Sequence, residues 1–137
     1  MEIVGIGTDI VECVRIARMI EHHGELFLTR VYTGREIRYC QRRKHATEHF
    51  AGRWAAKEAV FKCLGTGWRR GMCWTDVEVR NDPDGKPCIV VRGASREQAQ
   101  RLRISEILLS ISHCRAFATA YAIAVRGGGS LPEFTEE

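Results

Sequence analysis

Residues 53–67 read RWAAKEAVFKCLGTG. At roughly 100° per residue, Ala56, Ala59, Val60, Cys63 and Leu64 gather on one face of a helix, and Gly65 stands where glycine commonly ends one. The opposite face carries Trp54, Glu58, Phe61 and Lys62. A solvated face does not usually hold Trp and Phe together, so this helix is expected to be covered on both sides. Glu58 and Lys62 sit among those aromatics at i, i+4 and can meet. Spacing leaves two readings open. One is a partly exposed ion pair worth about 0.3–0.5 kcal/mol. The other is a carboxylate compensated by a metal, beside a cation that holds phosphate.

Working outward, the helix extends from about Thr47 to Leu64. Thr33 and Glu36 have capping-box spacing and open a basic helix through REIRYCQRRK (35–44). EIVGIGTDIVE (2–12) begins as a short apolar strand, is loosened by Gly5 and Gly7, and arrives at Asp9. A helix then runs from about Val11 to His23, stopped by Gly24, and LFLTRVY (26–32) continues the apolar content. Beyond the long helix, WTDVEV (74–79) alternates as a strand, NDPDGKP (81–87) is a turn, and CIVV (88–91) is the partner strand. Ser95 and Gln98 repeat the capping-box spacing before a short helix to about Leu102. EILLSISH (106–113) and ATAYAIAV (118–125) are the last strands, joined tightly by CRAF (114–117). Alanine at 118, 120, 122 and 124 leaves one strand face flat enough for a helix to approach closely. The pattern predicts an α+β domain over residues 1–126, with helices packed on a small antiparallel sheet. Residues 127–137, GGGSLPEFTEE, are glycine-rich and then acidic, with nothing to pack, and are expected to be disordered.

The bulk composition narrows the function classes. The chain has 137 residues, 45% hydrophobic and 28% charged, as in a soluble globular domain. No apolar run approaches membrane-spanning length and the N-terminus lacks a secretory pattern, so the expectation is a cytoplasmic protein with no membrane partner. Cys13, Cys40, Cys63, Cys73, Cys88 and Cys114 form no C-x-x-C pair and are expected to be reduced thiols, many of them buried. A net charge of +4 favours an acidic partner through steering and does not by itself argue for nucleic acid.

Several residues outside the long helix invite chemistry. Asp9 is either the cap of a strand-end turn or an oxygen ligand for a hard cation. His113 shares parity with Ile107, Leu109 and Ile111, and is either a satisfied histidine at the core edge or a donor to phosphate. Its neighbour Cys114 points to the other strand face, which argues against a Cys–His dyad. Arg15 and Arg18, beside Met19 and Ile20, make a basic and apolar stripe suited to an acidic helical partner.

Taken together, GIGTDIVE, RWAAKEAVFKCLGTG, DGKP and SISHCR resemble the holo-acyl-carrier-protein synthases, the small bacterial class of 4′-phosphopantetheinyl transferases. The resemblance covers roughly residues 1–126 and implies that family's fold. It also implies Mg²⁺-dependent transfer of phosphopantetheine from coenzyme A to a serine of apo acyl carrier protein, releasing adenosine 3′,5′-bisphosphate and supporting fatty acid biosynthesis. By the same resemblance, Asp9 and Glu58 match the magnesium ligands, with Asp9, Glu58 and Lys62 forming the catalytic group. Arg53, Lys62, Gly65, Pro87 and His113 match positions lining the coenzyme A site. Arg15 matches an arginine that meets the carrier protein, with Met19 and Phe27 near its apolar contacts. Family members are typically homotrimers with active sites between neighbouring subunits. The group that takes the serine proton stays open between Glu58 and a water. Two features depart from the family pattern: the 127–137 tail extends past the usual end, and WRRGMCW (68–74) occupies a variable loop. Two rival readings account for fewer of the motifs. One is a nucleic-acid module using the basic helix, and the other is a nucleotide-phosphate hydrolase using Asp9 and Glu58 with water as nucleophile.

Overall fold

The computed structural model describes residues 1–65 and 71–134. Trp68, Arg69 and Arg70 of the variable loop and the last three residues of the tail therefore lie outside the described residues. In chain order the elements are β1 (Glu2–Glu12), α1 (Cys13–His23), α2 (Glu25–Val31), α3 (Gly34–Gln41), α4 (Ala46–Cys63) and a 3₁₀ turn (Trp74–Asp76). After these come β2 (Val77–Asn81), β3 (Pro87–Val91), α5 (Gly93–Arg101), β4 (Glu106–His113) and β5 (Phe117–Arg126). The class is α+β, as the sequence predicts, and among the described residues the strands form two antiparallel sheets instead of one. Three strands are ordered β1-β5-β4, and β2-β3 is a separate hairpin.

Helix α4 lies on one face of the three-stranded sheet. Ala118, Ala120, Ala122 and Ala124 of β5 are all buried there, as their alternation predicts. Opposite them across the ladder, Gly5, Gly7, Asp9 and Val11 pair with Ala124, Ala122, Ala120 and Ala118. The two glycines are required by close approach: a Cβ on Gly5 would meet the Cys63 carbonyl oxygen, and one on Gly7 that of Ala59, far inside van der Waals contact. The Cys63 thiol donates to the Ala122 carbonyl oxygen at 3.0 Å across the same seam. On α4 itself Ala56, Ala59, Val60, Cys63 and Leu64 are buried, and so is Phe61 from the other face.

Several boundaries differ from the sequence expectation. Strand β1 runs on to Glu12, and Asp9 lies within it, so the reading of Asp9 as a helix cap is overturned; α1 begins at Cys13 with no side-chain cap. LFLTRVY is mostly helical, in α2. Trp74–Asp76 form a 3₁₀ turn before β2, because the Asp76 carboxylate accepts from the Cys73 amide at 3.1 Å. The Thr33–Glu36 capping box is present with both of its bonds. The expected Ser95–Gln98 box is not: α5 starts at Gly93, and Gln98 donates to the Leu64 carbonyl oxygen at 3.3 Å. Of the six cysteines, Cys13, Cys40 and Cys63 are buried and Cys73, Cys88 and Cys114 are exposed. Leu131 of the tail packs into the core, and Phe134 lies against Arg92, contrary to the expectation of a tail with nothing to pack.

Two charges sit deep inside. Lys57 and Glu36 are each 0% exposed and pair at 2.8 Å. Lys57 Nζ also donates to the carbonyl oxygens of Trp74 (3.2 Å) and Val77. Glu36 accepts from the amides of Thr33 (2.9 Å) and Val79 (2.8 Å). Burial pulls the Lys57 amine below its ordinary value and Glu36 opposes that shift. Removing one member leaves the other buried and uncompensated, so Lys57→Met is expected to cost about 3–5 kcal/mol in urea unfolding. Lys62→Met, which removes a half-exposed amine, is expected to cost less than ~1 kcal/mol. Equal costs would show that the buried pair holds nothing together.

Candidate active site

The two ends of α4 carry two separate groups of candidate functional side chains. Near its C-terminal end, Lys62 reaches across to β1, where its ammonium donates to the Thr8 carbonyl oxygen (2.7 Å) and to Asp9 Oδ1 (3.2 Å). The sequence pairs Lys62 with Glu58; in the structure its carboxylate partner is Asp9, because β1 passes close against the helix at Gly7. Glu58 is half-buried one turn back on α4. Partial burial, and then the Asp9 charge, push the Glu58 carboxyl above its ordinary range, while Lys62 and Arg15 pull it down. Asp9, Glu58 and Lys62 are therefore one electrostatic unit, with Arg15 at its edge.

That unit suits a hard cation. A half-buried Glu58 carboxylate with the Asp9 charge nearby gains from an added positive charge, and both residues offer only oxygen donors. Among the described residues no group of three or more His, Cys, Asp or Glu side chains gathers into a metal cage. Two protein carboxylates leave further positions for phosphate oxygens and water, which is the arrangement Mg²⁺ prefers. Gly65 follows the helix with φ 71° and ends it as the sequence predicts.

The second group lies toward the N-terminal half of α4. Arg53, Pro87 and His113, drawn from α4, β3 and β4, line one cleft of about 210 Å³. It shares Tyr39, Arg53, Asn81 and Gly85 with an adjoining cleft of about 430 Å³ that adds Arg35, Arg43 and Arg80. Arg53 is 5% exposed; it donates to Asn81 Oδ1 at 2.8 Å and, like Arg43, lies 4.0 Å from the Tyr39 ring centroid. Its Nε is buried with no hydrogen-bond partner among the described residues. A buried guanidinium with a spare donor, among further arginines, matches an anionic ligand such as phosphate. Along the helix axis Arg53 and Lys62 are about 13 Å apart, so the two groups are distinct clusters on one helix.

A third feature is an apolar groove of about 640 Å³ beside α1 and α2, lined by Met19, Phe27, Trp54, Met72 and Trp74. Trp54 stacks on Trp74 at 4.4 Å, with Phe27 6.0 Å from Trp54. The Arg15 guanidinium stands 5.8 Å from the Trp54 ring, so the predicted partner-binding residues Arg15, Met19 and Phe27 do converge.

Sequence reasoning misses Glu48, His49, Tyr39 and Asn81. His49 and Arg53 are spaced i, i+4 on α4, a signal that was available; nothing local marks Glu48. Its carboxylate meets His113 Nδ1 at 2.9 Å, and the His49 ring lies 4.8 Å from that of His113. The hydrogen bond with His113 holds the Glu48 carboxyl below its ordinary range. Burial, and then the charges of His113, Arg53 and Arg43, hold His49 below the usual imidazole value. A lowered carboxylate contributes stability above its ordinary range and loses it as pH falls through the folded value. Glu48→Gln is therefore expected to lower the melting temperature at about pH 6, by an amount that shrinks as pH falls through the acid range. A pH-independent difference would exclude the ionised contact.

Comparison with known proteins draws these features together. A model of the 4′-phosphopantetheinyl transferase superfamily matches residues 5–125. The holo-[acyl-carrier-protein] synthase of Rhodopirellula baltica is 49% identical over 123 residues, which are 90% of this chain and 98% of that protein. The crystal structure of the Neisseria meningitidis holo-[acyl-carrier-protein] synthase matches with a TM-score of 0.83 at 32% identity, covering 90% of this chain and 99% of its own. That of the Helicobacter pylori holo-[acyl-carrier-protein] synthase, in complex with coenzyme A, matches with a TM-score of 0.77 at 30% identity, covering 88% and 99%. In sequence and in structure alike, the chain belongs to the holo-[acyl-carrier-protein] synthase family within the 4′-phosphopantetheinyl transferase superfamily.

Proposed function

We propose that this protein transfers 4′-phosphopantetheine from coenzyme A to a serine hydroxyl of apo acyl carrier protein, releasing adenosine 3′,5′-bisphosphate. The observation that carries the reading is the Asp9–Glu58–Lys62 unit, two mutually unfavourable carboxylates beside an ammonium on a family-matched chain. In the reaction the serine oxygen bonds to the β-phosphorus as the bond to the bridging oxygen breaks; the serine proton passes to Glu58 or to a water beside it, and the leaving nucleotide keeps the bridging oxygen. Lys62 neutralises charge on the diphosphate, held in place by Asp9 and the Thr8 carbonyl. Mg²⁺, when held by Asp9 and Glu58, would withdraw charge from the phosphate oxygens. Arg53 and His113 bind and orient phosphate groups of coenzyme A at the other cleft, with Pro87 on its wall. Arg15 and the Met19–Phe27 groove receive the acidic and apolar sides of the carrier.

Two features support a homotrimer whose sites lie between neighbours. The diphosphate unit and the Arg53–His113 cleft occupy different parts of one chain, which fits a ligand held by halves from two neighbouring chains. Among the described residues the sheet face away from α4 is also exposed: Ile6 and Ile10 are 70% and 64% exposed, beside exposed Phe117 and Tyr121. An apolar sheet face of this kind fits a contact with further copies of the chain. Among the described residues no helix is long and apolar enough to cross a membrane.

Mass spectrometry of apo carrier protein incubated with the protein, coenzyme A and Mg²⁺ is expected to show a phosphopantetheine mass increase. EDTA should abolish it, and Glu58→Gln should lose both activity and metal affinity. Carrier-independent breakdown of coenzyme A would instead favour the hydrolase reading. The shared site has its own test, in which Lys62→Ala is mixed with Arg53→Ala/His113→Ala under conditions that exchange subunits. Random rings of three would place intact halves together at about a quarter of sites, so roughly a quarter of wild-type activity should return. Activity no greater than the sum of the two variants would rule out a site between subunits.

A further inference from the structure

Residues 127–134 lie beyond the family-matched region, yet they return to the body of the protein. Arg96 on α5 donates from Nη1 to the carbonyl oxygens of Val91 (3.1 Å) and Pro132 (2.8 Å), and from Nη2 to that of Leu131 (3.4 Å). It also pairs with Glu133 at 3.6 Å. One guanidinium thus ties the tail to the end of β3, while Leu131 enters the core. These anchors leave the Phe134 ring against the hairpin, its centroid 4.5 Å from the Arg92 guanidinium carbon and 5.5 Å from that of Arg80. Both distances are within the range of cation–π attraction.

Arg80 connects this contact to the site. It projects from β2, its Nε donates to the buried Glu78 carboxylate, and it lines the cleft with Tyr39, Arg43, Arg53 and Asn81. An arginine held by a carboxylate and by an aromatic ring has little rotamer freedom left to lose when a phosphate arrives. We propose that Phe134 is a positioning residue for coenzyme A binding: the tail sets its ring against Arg80 and so preorganises the cationic wall of the nucleotide cleft. This rests on the reading of that cleft as part of the coenzyme A site.

The test uses the full-length protein with Phe134→Ala, Phe134→Tyr and Arg80→Ala, measuring KM for coenzyme A, KM for the carrier, kcat and melting temperature. Phe134→Ala is expected to raise KM for coenzyme A about three- to five-fold, leaving kcat, carrier KM and melting temperature unchanged, and Phe134→Tyr to restore it. Arg80→Ala should raise KM at least as far. An unchanged KM in Phe134→Ala alongside a raised one in Arg80→Ala overturns the role of the tail and leaves the cleft assignment standing. No change in either variant overturns both. A fall in melting temperature without a KM effect, or failure of tyrosine to restore KM, would reduce the tail to a structural brace and overturn the proposal.

Discussion

Lys57 carries a charge into the interior of the protein, and the site depends on how Glu36 and its neighbours neutralise it. Withdrawing an ammonium and a carboxylate from water costs several kcal/mol each, roughly, even after relaxation, and attraction between them offsets this only where further hydrogen bonds complete the set. Here they do. Glu36 closes the cap of α3 and takes the Val79 amide of β2, while Lys57 takes two carbonyl oxygens at the start of the hairpin. One node therefore joins α3, α4 and the β2–β3 hairpin. An apolar pair of equal volume would fill the space without dictating which hairpin residue meets which helix. The positions of Tyr39, Asn81 and Pro87 around Arg53 follow from that node.

Helix α4 divides its work along its length and around its circumference. Its small residues face the sheet, allowing the close approach that sets Lys62 beside Asp9. Its charged residues either point into the hairpin node, as Lys57 does, or belong to the two candidate clusters. Packing and chemistry thus use interleaved positions of a single helix, and few of them can change without touching both.

What was legible in the sequence was local. The alanine face of α4, its glycine stop, the Thr33–Glu36 box and the alternating strands are patterns of a few residues, and the structure has them. The missing parts depend on distant partners. Asp9 belongs inside a strand because Ala120 pairs with it, and glycines on either side of Ile6 hide the alternation that would reveal this. Lys57, on the predicted helix, looks like any solvated lysine until Glu36 arrives from another helix. Glu48 gains meaning only from His113, 65 residues away. The tail looked unstructured by composition, since three glycines precede the one leucine that the core takes up.

Gly5 and Gly7 carry no functional group, yet they fix the gap between β1 and α4. Any side chain at either position must push the helix off the strand, and Lys62, whose Cβ lies 3.0 Å from where a Gly7 side chain would begin, moves with it. Two residues along β1, Asp9 would then face a displaced Glu58. A saturation map of this protein would accordingly show the glycines to be as intolerant as the carboxylates they serve. Tolerance to substitution would outline the spacing of the site as sharply as its chemistry, and would not distinguish the two.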